Sequence, residues 1–196
     1  MLGDAARARR YSDEALQMAE HYGSTRNIIY ALMTCGNACT LAQRWEDGNR
    51  FLDRARQLIS TTGAGGEWSV HVDQHQALCL AAMGERERSL SLARRSRDLT
   101  TNDTHATVGF LAARVMRMVG DPTELHELEG QIVSTFNAIQ RTKANGFLPL
   151  LLLERAALAK LRGESDNMTR DFAEARHLFA QVGTTGWDDY ARSIEA

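Results

Sequence analysis

The chain has 196 residues, and its 23 basic and 25 acidic residues leave a formal charge of −2 with no block of like charge. Phosphate binding needs a clustered basic footprint, so nucleic acid is not expected as a partner. Two prolines, a 7% aromatic share and a longest apolar run of seven residues (147–153) suit a nearly all-helical chain and fall far short of the roughly 20 apolar residues that span a bilayer, so no membrane partner is expected.

The opening MLGDAARARR has no apolar core after its arginines and does not read as a secretory signal. Asp4 is placed to cap a helix through about His21, which with the turn at Gly3 makes a half hairpin, residues 1–23, whose first helix is absent. Its apolar side, Ala8, Tyr11, Ala15 and Met18, then needs upstream sequence or another molecule to cover it, and self-association at this end is expected.

The first full hairpin, residues 24–62, is the best formed. Ser24 or Thr25 caps a helix to about Ala42, Gln43-Arg44 is the turn, and Trp45 to about Ser60 is the second helix. Gly36 and Cys39 precede the turn by seven and four residues on one helix face. Trp45, Gly48, Leu52 and Ala55 recur at helical spacing after it, so Gly36 and Gly48 let the two helices cross closely. The linker TTGAGG lacks the Gly-Lys-Ser/Thr ending and the preceding strand of a phosphate cradle, and reads as a flexible loop between repeats.

The next hairpins are predicted at residues 67–100, 104–144 and 147–182, followed by a closing helix at 186–195. Thr101 to Thr104 supplies turn and cap residues, and Asp121-Pro122-Thr123-Glu124 reads as a helix start. Leucines 150 to 153 face too many directions to be exposed, which predicts a deeply packed helix.

Turns at Gly3, Gln43, Gly84, Gly120 and Gly163 are separated by 40, 41, 36 and 43 residues. Seven residues before the last four stand Gly36, Ala77, Ala113 and Ala156, all small. Twelve after the five turns stand Ala15, Ala55, Ser96, Ile132 and Ala175. A hairpin of this kind cannot bury its apolar faces alone, so copies must stack. The pattern resembles the tetratricopeptide repeat over essentially the whole chain, with a longer period of about 40 instead of 34 and with Cys, Leu, Met or Ala at most of the family's aromatic positions. It is similar in this to the C-terminal arrays of multidomain bacterial adenylate or guanylate cyclases and of LuxR-type ATP-binding regulators. The resemblance implies an all-α, right-handed α-solenoid.

His71, His75 and Cys79 follow one another at intervals of four, a row that can present soft-metal ligands. HVDQH lacks the glutamate of a metalloprotease, however, and no fourth ligand is evident, so rim histidines and a packed cysteine are expected. Cys35 and Cys39 share a helix face and read as small hydrophobes, and three cysteines without a disulfide framework suit a reducing cytoplasm. The charged pairs Asp13-Glu14, Arg94-Arg95 and Asp188-Asp189 show no convergence of acid, base and nucleophile, so neither catalysis nor a cofactor is expected.

The resemblance implies a non-enzymatic interaction or regulatory module. The first helix of each unit would line a concave groove for a peptide or protein segment, including other domains of a parent signalling protein. Carried over residue by residue, the groove is Tyr30, Met33 and Asn37, then His71 and Gln74, then Phe110, Arg114 and Arg117, then Leu153 and Lys160. A domain sensing a small effector and controlling an upstream cyclase, ATPase or DNA-binding part is the alternative.

Overall fold

The computed structural model describes residues 5–99, 106–120, 125–183 and 187–195. Among them the chain is all-helical: α1 (Ala5–Tyr22), α2 (Thr25–Leu41), α3 (Trp45–Thr62), α4 (Ser69–Ala82), α5 (Arg86–Leu99), α6 (Ala106–Val119), α7 (Leu125–Thr142), α8 (Leu148–Leu161), α9 (Ser165–Gln181) and α10 (Asp188–Glu195). No helix of the described residues is long and apolar enough to cross a membrane. The predicted starts at Asp4, Thr101 to Thr104 and Asp121 to Glu124 lie outside the described residues.

The helices belong to two compact units that divide between Leu99 and Thr100. In the first, α1 packs on α2, α2 on both α3 and α4, and α4 on α3 and α5. In the second, α8 takes the central place, packing on α6, α7, α9 and α10. The two central helices are buried nearly all round, α4 with four polar residues, Asp73 to Gln76, in its buried run. Val72 to Ala81 of α4 is buried without a break, and so are Pro149 to Leu153 of α8 with Ala156 to Ala159 after them. This matches the deep packing predicted for the four leucines.

Three hairpins close in the same way. Arg44 N–H reaches the Cys39 carbonyl (2.9 Å), Glu85 N–H that of Leu80 (2.9 Å) and Glu164 N–H that of Ala159 (2.9 Å), each spanning a residue with positive φ: Gln43 at 56°, Gly84 at 81° and Gly163 at 73°. Such bonds satisfy carbonyls that the helix end would leave orphaned. Gly84 and Gly163 suit this left-handed position, whereas Gln43 occupies it at a steric cost. At the positions counted from the turns, Gly36, Ala77, Ala113 and Ala156 are buried, and so are Ala55, Ser96, Ile132 and Ala175 on the opposing helices, whereas Ala15 is exposed.

The two glycines of the first hairpin mark close crossings. A methyl group on Gly36 would come within 2.5 Å of Leu52 Cγ, so α2 and α3 pack with that leucine lying over the glycine backbone. In the second unit Gly109 does the same beneath Thr135 of α7, a contact that the repeat register did not reveal.

Of the two caps offered for α2, Ser24 holds the position, its hydroxyl accepting from Asn27 N–H at 3.4 Å. Other details differ from the sequence reading. The cap of α9, expected at Ser165 or Asp166, is Glu164, without a side-chain bond, and Ser165 is already helical. The TTGAGG segment is built into the fold. Its threonines finish α3, Gly63 ends that helix in the left-handed region, and Gly65 is buried against Trp68 and Ile29 before a short 3-10 turn, Gly66–Trp68. On α1, the side that packs is Ser12, Leu16 and Ala19, while Tyr11, Ala15 and Met18 are exposed. The buried side holds α2 through Cys35 Sγ, which donates to the Ser12 carbonyl at 3.2 Å, and Arg9 Nη1 donates to Cys39 Sγ at 2.8 Å.

Candidate functional site

The ten residues that the repeat register placed in a groove separate by burial. In the unit of α1 to α5, Tyr30 is 51% exposed and lies 5.3 Å from the Trp68 ring, over which the Arg26 guanidinium sits at 5.2 Å. Asn37 and His71 are half-buried and Met33 is buried. Gln74 is fully buried: its amide donates to Ser96 Oγ and, at 3.4 Å, to the Ala93 carbonyl, so it holds α4 to α5 and does not line a surface. Only Tyr30 of this set is exposed, with Asn37 and His71 half-buried, and beside Tyr30 stands the half-buried Trp68, a residue that the register passed over because it lies in the short turn before α4.

In the unit of α6 to α10, Phe110 and Leu153 are buried packing residues, and Arg114 is only 7% exposed. The apolar character that made Phe110 and Leu153 look like anchors has instead drawn them into the core. The arginines are committed to a carboxylate that sequence reading did not single out. Glu154 of α8 is fully buried and accepts Arg114 Nε at 2.9 Å and Arg117 Nε at 2.8 Å, both from α6. The Tyr190 hydroxyl of α10 also donates to Glu154 and accepts from Arg117 Nη2 at 2.9 Å. Above the pair the Arg114 guanidinium lies 3.8 Å from the Tyr190 ring centre, 5.2 Å from that of Phe110 and 5.6 Å from that of Trp187.

The electrostatics follow from this geometry. Burial pushes the Glu154 carboxyl up, but the nearby charges of Arg117 and Arg114 outweigh it and hold the group below its ordinary range. Burial works to lower the Arg117 value, and the charges of Glu154 and Tyr190 overcome it, leaving it raised. Tyr190 is pushed up to about 12, by burial first and then by the negative charge beside it. A carboxylate this deep is tolerable only because it is paired and hydrogen-bonded.

Two further buried carboxylates repeat the arrangement. Asp73 of α4 takes Arg56 from α3 and Arg95 from α5, with Arg95 Nε at 3.0 Å, and Asp171 of α9 takes Arg155 of α8 (2.6 and 2.9 Å) and its neighbour Arg170 (3.1 Å). For Glu154 the signal was available: LPLLLLERAALAKL holds one acid in a largely apolar, buried run, and it must find a cation.

The row His71, His75 and Cys79 has its cysteine fully buried, and among the described residues no three histidines, cysteines or acids are placed to hold a metal ion. Cys35, Cys39 and Cys79 are free, buried thiols. Lys160 is exposed, and its ammonium donates to the Ile194 carbonyl at 3.1 Å.

The chain matches no protein-family model, no curated protein and no solved structure. The functional reading therefore stands on its helices and on the faces they present.

Proposed function

We propose that this chain is a non-enzymatic interaction module whose hairpins stack as a right-handed α-solenoid of the tetratricopeptide kind. In this reading the partner meets the first helix of each hairpin at the groove positions that packing leaves unburied: Tyr30 and Asn37 of α2 and His71 of α4 in one unit, Arg117 of α6 and Lys160 of α8 in the other. These positions take a peptide or protein segment, including another part of a larger bacterial signalling or transcription-regulating protein. The observation that carries the reading is the recurrence of one turn, with the same bond across a left-handed residue, at Gln43, Gly84 and Gly163. The packing of alternate helices on each other, α2 on α4 and α6 on α8, supports it, since an inner row of first helices would require such contacts.

The exposed Tyr30 ring against the half-buried Trp68, with Arg26 over it, is the kind of surface that anchors a partner, because aromatic and arginine side chains dominate binding energy. A photoreactive phenylalanine analogue at Tyr30 or His71 should cross-link a protein segment in cells, whereas the same residue at Gln57 of α3 or Glu87 of α5 should not. Cross-links from the α3 and α5 positions alone would refute the assignment of faces. A thermal shift with one metabolite from a pooled set, and no cross-link from Tyr30 or His71, would replace it with the small-effector alternative.

A further inference from the structure

The connection between α7 and α8 holds the one Asn-Gly pair of the sequence, Asn145-Gly146. α7 ends at Thr142, Lys143 takes a left-handed φ of 59° at a steric cost, and a 3-10 turn, Asn145–Phe147, leads into α8. Two bonds hold that turn: Phe147 N–H to the Ala144 carbonyl at 3.1 Å, and Leu148 N–H to that of Asn145. Neither engages the Gly146 N–H, and among the described residues no acceptor meets it. The Asn145 side chain is exposed and likewise makes no hydrogen bond among the described residues. Around Gly146 there is open space, with no atom within 4 Å of where a Cβ would stand.

A free main-chain nitrogen one residue beyond an unengaged side-chain amide is the setting for intramolecular attack, which tethering makes effectively unimolecular. The Gly146 nitrogen gives its proton to hydroxide and adds to Asn145 Cγ. The Cγ–Nδ2 bond then breaks, ammonia leaves, and a five-membered succinimide joins the two residues. Water opens this ring at either carbonyl. Breaking the new bond to Cγ gives aspartate, and breaking the original peptide bond gives isoaspartate, in which the main chain runs through the side-chain carbon. Glycine in the second position leaves the ring uncrowded. Helical backbone angles hold the nitrogen out of line with Cγ, so attack waits for the turn to open, and an exposed turn with two bonds opens at low local cost. The other described asparagines, Asn27, Asn37, Asn49, Asn137 and Asn167, lie inside helices and precede residues that carry side chains.

We propose that Asn145 is a self-modification site, deamidating through a succinimide with Gly146, and that the isoaspartate it yields loosens the entry to α8. The two products act differently. Aspartate sets a negative charge ahead of a helix whose first turn has no acid and whose cap residue, Phe147, makes no side-chain bond, a position where negative charge is favoured. Isoaspartate lengthens the main chain by one carbon inside the turn, so the bonds of Phe147 and Leu148 lose their register.

The full chain, held at body temperature and near-neutral pH, is sampled over weeks and mapped by mass spectrometry after digestion, with isoaspartate counted by enzymatic methylation. The peptide holding residues 145 and 146 should gain one dalton and split into two products, isoaspartate in excess, while peptides holding the five helical asparagines stay unchanged. Gly146→Ala, whose methyl group enters open space, and Asn145→Gln should each slow the conversion at least tenfold with circular dichroism intact. Conversion should quicken as pH rises and again in urea. The aged wild-type chain should melt below the fresh one, and Asn145→Asp should not. A 145–146 peptide still unchanged in the native chain after the urea-unfolded chain has converted would refute the site, as would equal conversion of the helical asparagines. An aged chain rich in isoaspartate that melts with the fresh one would keep the site and refute the loosening of α8.

Discussion

A methyl group on Gly48 would lie 3.0 Å from the Cys79 sulfur and 3.3 Å from Cys39 Cβ, so α3 meets α4 and α2 at a tight crossing with no room for a larger side chain unless they shift. Gly48→Leu should therefore destabilise the unit of α1 to α5 by about 1–3 kcal/mol or more, through overpacking that α2 and α4 cannot both relieve. A circular-dichroism melt would show this as a clear fall in midpoint, with Gly48→Ala between wild type and leucine. An unchanged midpoint for the leucine variant would contradict the crossing.

Glu154→Gln should cost about 3 kcal/mol or more, because it leaves Arg114 and Arg117 buried without their counter-charge. The same pairing sets a pH dependence at each end. Glu154 titrates below its ordinary range in the fold, so its stabilisation is complete above the unfolded value of about 4 and is lost as pH falls through the lower folded value. Tyr190 has the opposite sign. Its folded value of about 12 exceeds the unfolded value of about 10, so its contribution is complete below pH ~10 and declines by about 2–3 kcal/mol as pH rises through 12. Urea titrations across both ranges should show the acid loss reduced in Glu154→Gln and the alkaline loss reduced in Tyr190→Phe.

Burial pushes the Cys79 thiol up to about 12, and burial likewise raises those of Cys35 and Cys39. Thiolate is the reactive form, so labelling of Cys79 by a disulfide reagent at pH 8 should run about a thousandfold slower in the folded chain than in a peptide. All three should react promptly in denaturant. Fast labelling of the native chain would mean that α2 and α4 part readily.

On α1 the packed and open sides are adjacent, and substitution should separate them. Leu16→Ala, at the buried side, should cost about 2–5 kcal/mol, whereas Met18→Ala, 65% exposed, should change stability by less than about 0.5 kcal/mol. If the open stripe of Tyr11, Met18 and Tyr22 mediates the self-association expected of this end, Tyr11→Glu/Met18→Glu should abolish concentration-dependent light scattering. Scattering that persists unchanged would place the contact elsewhere.

The parts of the fold that obey local rules were readable in the sequence. A left-handed turn favours glycine, and a close crossing demands a small residue at a fixed distance from that turn, so Gly84, Gly163, Gly36, Gly48 and Ala156 could be placed without any structure. Gly109 could not, since the Thr135 side chain that it accommodates is on another helix and outside the register. The polar ties escaped for the same reason. Arg114 and Glu154 are 40 residues apart, and a helical wheel shows where an arginine points but not which acid it will find. Gln74 and Phe110 were read as partner-facing from the repeat pattern, but Gln74 is drawn to Ser96 of α5 and both are buried.

Asp73 binds Arg56 from the preceding hairpin and Arg95 from the following helix, so it ties three successive helices through one buried charge. In a stack held by apolar contact alone, each hairpin leaves at the cost of a single interface, and melting proceeds as a series of small steps. Here, peeling away either neighbour strands a carboxylate in the interior with half its partners, a penalty that falls on the step itself and not on the residues that depart. The nearest-neighbour coupling across α3, α4 and α5 is raised accordingly. Partial unfolding from the α5 end should be scarce, and the helices α3 to α5 should exchange their amides as one block with a common opening free energy.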